Sequence, residues 1–226
     1  MELLSVQRAR SAWIFDANDL NPRGKEMGTE LLNWLKDAYR FSKFPASVTD
    51  LDDSKALYFG GGKFHVPKEG LLVQPIREEA ITVELRVYND GIVGDTRSST
   101  DDTDAFLSDV VESFAQRFSS PYTPAIIRKK LYVSELNVRT AKKLMPLNPK
   151  LAKFAEKLSA VLPAKLPAEL SGIVFWPDVL PKPDQSIFRF ERKWGVEFSD
   201  NRYFSTASLQ TDKHLILLEE LELALS

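Results

Sequence analysis

Four aspartates, Asp95, Asp101, Asp102 and Asp104, fall within ten consecutive positions, in a run that also holds Asp90, Gly91 and Gly94. Carboxylates at that density could hold a hard cation such as Mg²⁺ or Ca²⁺, which takes several oxygen ligands at once. The spacing excludes the twelve-residue calcium loop. Started at Asp102, that loop would need an oxygen ligand at Phe106 and a glycine at Leu107. The competing reading is local: Ser99 or Thr100 caps a helix, and the aspartates sit against the positive end of its dipole.

A second carboxylate pattern is Pro177-Asp178, twelve residues, then Glu191-Arg192-Lys193. It resembles the signature of the PD-(D/E)xK nucleases. The resemblance covers about seventeen residues and implies that Asp178 and Glu191 hold a divalent metal while Lys193 positions or activates the attacking water. On a strand, Glu191 and Lys193 would share one face and Phe188, Phe190 and Arg192 the other, because side chains alternate. Arg189 beside Glu191 offers a plain charge ladder instead.

Other chemistry is sparse. Gly60-Gly61-Gly62-Lys63 lacks the spacing of a phosphate-binding loop and reads as a flexible hairpin tip. His65 reads as a strand residue and His214 as a solvated or helix-packing one, neither with a partner at metal-ligand spacing. No GxSxG or SxxK surrounds a serine. The chain has no cysteine, which removes disulfides, thiolate metal sites and cysteine nucleophiles.

Charge is balanced overall and polarised locally. The net charge is −2 over 226 residues, yet positions 77–112 hold ten acids against three bases and positions 128–157 nine bases against two acids. The basic segment, led by Arg128, Lys129, Lys130, Lys142 and Lys143, is the one surface suited to phosphate. Set against the acidic group of Asp95, Asp101, Asp102 and Asp104, it predicts recognition of a protein partner or self-association, with nucleic acid as a second partner class.

The elements that position these residues follow from periodicity. Helices are predicted over 24–41, over 102–118, from Asn148-Pro149 with Leu151, Phe154, Leu158 and Val161 as a buried face, and from a Thr211 cap through Leu225. In the last, Leu215, Leu218, Leu221 and Leu225 form one stripe and Ile216, Leu217 and Leu223 lie off it. A helix that apolar requires burial on two sides, in the protein's own core or, for one side, against a partner subunit. Strands are predicted at 56–66 (two, around the glycines), 71–76, 81–88, 92–96, 127–139, 173–176, 187–194 and 203–208, with Asn89, Asp90 and Gly91 turning a hairpin.

No internal repeat stands out. Five prolines between Pro163 and Pro183 suggest a boundary between a main domain over 1–162 and a C-terminal strand-helix portion over 163–226 packed on the same core, with a single compact domain as the alternative. The predicted fold is α+β, a mixed, largely antiparallel sheet packed by three to four helices. No run is long and apolar enough to span a bilayer. The chain therefore reads as a cytoplasmic, macromolecule-binding or assembly protein without membrane attachment. No cofactor is expected, except Mg²⁺ under the nuclease resemblance.

Overall fold

The computed structural model describes residues 1–21, 24, 28–66, 80–142, 144, 149–162, 168–176 and 187–225. Eight strands follow the order β2-β3-β4-β1-β5-β8-β7-β6, and every pairing with a resolved register is antiparallel. The chain is α+β, as its periodicities predict. It divides into a first unit, Arg8–Val133, and a second unit, Ser134–Ser226 together with Met1–Gln7. Strands β1 (Glu2–Ile14) and β5 (Lys129–Arg139) each continue from one unit into the other.

The first unit runs β1, a one-turn helix α1 (Ala17–Leu20), α2 (Gly28–Tyr39), β2 (Leu57–His65), β3 (Ala80–Tyr88), β4 (Gly91–Thr96) and α3 (Thr100–Phe118). The second runs β5, α4 (Pro149–Val161), β6 (Gly172–Phe175), β7 (Phe188–Arg192), β8 (Arg202–Ala207) and α5 (Thr211–Ala224). Among the described residues, and apart from the single turn α1, both are strand, helix, three strands, helix. Their strand orders also match, β2-β3-β4-β1 against β6-β7-β8-β5.

Register aligns the repeat residue by residue. Ala9 pairs with Thr96 and Ser134 pairs with Ala207, and a helix begins four positions after each second member, at Thr100 and at Thr211. Thr103 therefore corresponds to His214, Phe106 to Leu217, Asp109 to Glu220 and Glu112 to Leu223. Between Gly94 and Phe114 the equivalent positions share only Thr100/Thr211, Asp101/Asp212 and Leu107/Leu218. Identity that thin hides the repeat from sequence inspection.

Local chemistry explains the first unit. Tyr88 pairs with Gly91 across the two-residue turn Asn89-Asp90, so Gly91 opens the returning strand. A Cβ there would lie 2.1 Å from the Trp13 carbonyl oxygen, which only glycine avoids. Ser99 is the N-cap of α3, its hydroxyl accepting from the Asp102 N–H. The helix lies down on Gly94, where a Cβ would meet Thr103 at 2.9 Å and Leu107 at 3.0 Å. Leu32, Leu35 and Tyr39 of α2 complete an aromatic-rich core with Phe59, Phe64, Phe106 and Leu107.

Several expectations change. Gly60–Gly62 are not a hairpin tip: β2 is one strand with a bulge between Phe59 and Gly62, and the backbone of Lys43 bonds to Gly60. Gly61 and Gly62 are there because Ser42 and Phe41 press on that bulge, with the Phe41 ring 2.4 Å from where a Gly62 Cβ would stand. The five prolines that suggested a boundary near 162/163 lie outside the described residues. Strand β7 ends at Arg192, so Lys193 lies past it. The strand expected over 71–76 lies outside the described residues.

The largest change concerns α4. Leu151, Phe154, Leu158 and Val161 are exposed, Phe154 by 62% and Val161 by 79%. The helix turns its small residues, Ala152, Ala155 and Ser159, towards the protein instead. Ser159 donates to the Ala155 carbonyl and accepts from the Ala168 N–H. Among the described residues, the core of the second unit, Leu136, Val138, Leu144, Phe188, Phe190, Tyr203 and Leu218, contains none from α4.

Candidate functional site

The acids predicted to form a surface are partly engaged within the first unit. Asp95 stands opposite Arg10 in the β1–β4 register and is only 7% exposed. It accepts from Arg10 through Nε and Nη2, both at 2.8 Å, and from Arg86 Nη1 at 2.9 Å. Arg86 lies over the Tyr58 ring at 4.8 Å and reaches Asp52 at 3.4 Å. The Asp52 carboxyl is held below its usual range, first by the Ser54 hydroxyl.

Asp104 is the acceptor of a second cluster. Trp13 Nε1 donates to it at 2.8 Å, Tyr132 Oη at 2.9 Å and Lys130 Nζ at 3.2 Å, while the same ammonium sits 3.9 Å above the Trp13 ring. Burial, then the bond to Asp104, pushes the Tyr132 phenol up from its ordinary value. One acid of the acidic group is thus paired with one base of the basic group. Asp102 accepts from Ser98 beside the helix cap, and Asp101 is exposed in the first turn. Arg128 forms an exposed ion pair with Asp19 at 3.4 Å, and Lys129 is exposed at the start of β5. Lys142 is partly buried, its N–H bonded to Thr140 Oγ1; Lys143 lies outside the described residues.

Of the nuclease-like pattern, Asp178 lies outside the described residues. Glu191 faces Arg189, 3.9 Å away, with both side chains 41% exposed. The Lys193 N–H donates to the Arg202 carbonyl at the end of the β7–β8 ladder. Arg192 points to the other face, over Phe198 and Tyr203, and binds Glu169 at 2.8 Å. Among the described residues no three histidines, cysteines or carboxylates are grouped so as to hold a metal ion.

His214, expected to be solvated or to pack on a helix, is fully buried. Its Nδ1 lies 2.6 Å from Ser134 Oγ and its Nε2 2.8 Å from Ser205 Oγ, which itself donates to the Arg189 carbonyl. With that proton spent, Ser205 accepts from Nε2–H and Nδ1 accepts from Ser134: a neutral imidazole with both nitrogens satisfied. Burial lowers its pKa from 6.5 to about 4. A serine beside a histidine suggests nucleophile and base, but no substrate reaches a side chain with no exposed surface. The pair holds α5 to the sheet. The signal was present in sequence, since His214 is four residues before Leu218 on the buried stripe.

Two further features could engage a ligand or partner. A cavity of about 250 Å³ in the first unit is walled by Phe15, Leu20, Leu31, Trp34, Val87, Ile92, Val110 and Phe114, with Asn18, Asn21 and Tyr88 among its polar residues. The second unit displays the open apolar face of α4, Ile216, Leu217 and Leu223 on α5, and Trp194, which is 97% exposed in a turn. No described helix is long and apolar enough to cross a membrane. No protein-family model matches the chain, and no curated protein matches its sequence.

Proposed function

We propose that the chain is a protein-binding, assembly-forming module of the cytoplasm, and that it docks through the outer apolar surface of its second unit. The observation that carries this reading is the stripe Leu151, Phe154, Leu158 and Val161 on α4, exposed along three helical turns. Covering a side chain of that size is worth about 1.5 to 3 kcal/mol, so an aligned set left in water favours a partner. Trp194 adds the residue type most enriched where interfaces concentrate their energy. Charge contributes orientation, since Lys153 and Lys157 flank the stripe.

The test is a photo-crosslinking phenylalanine analogue in place of Phe154, irradiated in the cells that make the chain. A covalent adduct heavier than the chain is expected. Its absence at position 154, with the folded chain present, overturns the reading.

A further inference from the structure

The internal repeat identifies what α4 lacks. In the first unit α2 covers α3: Tyr39 stacks edge-on against Phe106, Trp34 meets Phe114 and Phe118, and Tyr39 Oη donates to Asp109 at 2.7 Å. The equivalents of Phe106 and Asp109 on α5 are Leu217 and Glu220, and both are exposed. The helix that corresponds to α2 is α4, whose own large apolar residues face water.

The outer side of α5 departs from its counterpart in the same direction. Ile216 and Leu223, 56% and 75% exposed, stand where α3 carries Ala105 and Glu112. Seven residues apart, they lie nearly in line, with Glu219 and Glu220 one turn on from Ile216 and to either side. The flank of the α4 stripe carries the opposite sign, in Lys153 and Lys157, which are exposed as Glu219 and Glu220 are. One chain thus bears an apolar helix face edged with lysine and another edged mainly with acid, where Asp212, Glu219 and Glu220 outnumber Lys213. Each is the complement of the other.

Resting on the reading of the second unit as a docking surface, we propose that its partner is a second copy of this chain. The copies form a closed two-fold dimer in which α4 of each packs across α5 of the other. Phe154 and Val161 meet Ile216, Leu217 and Leu223, and Lys153 and Lys157 face Glu219 and Glu220. Between copies, the dimer restores the helix-on-helix contact that α2 and α3 make within the first unit. A two-fold arrangement uses both faces of both chains and so ends the association at two.

Light scattering on the purified chain should give twice the 25.6 kDa of one copy. K153E/K157E should weaken the dimer about tenfold or more, because attraction at each contact becomes repulsion. E219K/E220K should do the same, and the chain carrying all four substitutions should regain the dimer. These side chains are exposed, so circular dichroism should stay unchanged. A monomeric mass at all concentrations overturns the proposal, as does a dimer indifferent to K153E/K157E or a four-substitution chain that stays apart. The crosslinker at position 154 separates the two levels. An adduct of twice the chain mass joined to α5 supports the dimer. An adduct of any other composition overturns it while leaving a docking surface, and no adduct removes both readings.

Discussion

Thr103 and His214 occupy the same place in the two units, and they fill it in different ways. Around Thr103 the sheet offers Gly94 and Ala9, so the helix settles close and the threonine hydroxyl reaches the Ala9 carbonyl at 3.1 Å. Around His214 the equivalents are Ser205 and Ser134, whose hydroxyls hold the imidazole between them. The neighbouring layer differs as well, for α2 closes over α3 with Trp34 and Tyr39 while α4 leaves its large residues outside. One topology can therefore carry a closed aromatic core and an open apolar face, depending on whether the helix after its first strand brings large or small residues inwards.

Equivalent substitutions in the two units sharpen this contrast. Phe106→Ala, at a buried position ringed by Tyr39 and Phe64, should cost about 3 to 5 kcal/mol in urea denaturation. Leu217→Ala, its half-exposed equivalent, should cost less than about 1 kcal/mol in the dissociated chain. Similar losses at the two sites would mean that α5 is covered as α3 is.

Next in size is the acid sensitivity that His214 gives the second unit. The folded pKa of His214, about 4, lies below its ordinary 6.5, so in that interval the unfolded chain binds more protons. Stability is therefore complete above about pH 6.5 and falls as pH drops towards 4, by on the order of 3 kcal/mol. His214→Leu should flatten this part of the pH profile while lowering stability at neutral pH, since it strands the two serine hydroxyls. Parallel urea midpoints for the two chains between pH 7 and 4.5 would contradict the assignment. Thr103 has no counterpart to this effect.

Smaller still is the cost of breaking the ion network on the strands. Asp95→Asn leaves Arg10 and Arg86 without their shared carboxylate and should destabilise by about 2 kcal/mol, below the range for fully buried pairs because both arginines are partly exposed. Thr206→Val, at the equivalent position in β8, should change stability by less than about 0.5 kcal/mol. Equal responses would remove the network as a distinguishing feature of the first unit.

Much of the secondary structure was legible in the sequence because its signals are local. The alternation of Ile81, Val83, Leu85 and Val87, the Asn89-Asp90-Gly91 turn and the Ser99 cap each involve neighbours within a few positions, and β3, β4 and α3 follow them. The same clues misplaced Gly60–Gly62, where Gly61 and Gly62 make room for Ser42 and Phe41 pressing from another segment. They also missed the repeat, which is written in strand order and register and scarcely in shared residues.

By itself, the sequence determined the fold class, most of the helices and strands, the absence of cysteine chemistry and the separation of acidic from basic segments. Only the tertiary structure decided which of those charges remain available and which apolar faces are covered. Asp95 meets Arg10 across 85 positions and Asp104 meets Trp13 across 91. His214 meets Ser134 across 80. A stripe such as Leu151, Phe154, Leu158 and Val161 reads the same in sequence whether it is buried or bare. Periodicity reports only that residues share a side of the helix, and what lies against that side comes from distant parts of the chain or, as proposed for α4, from a second copy.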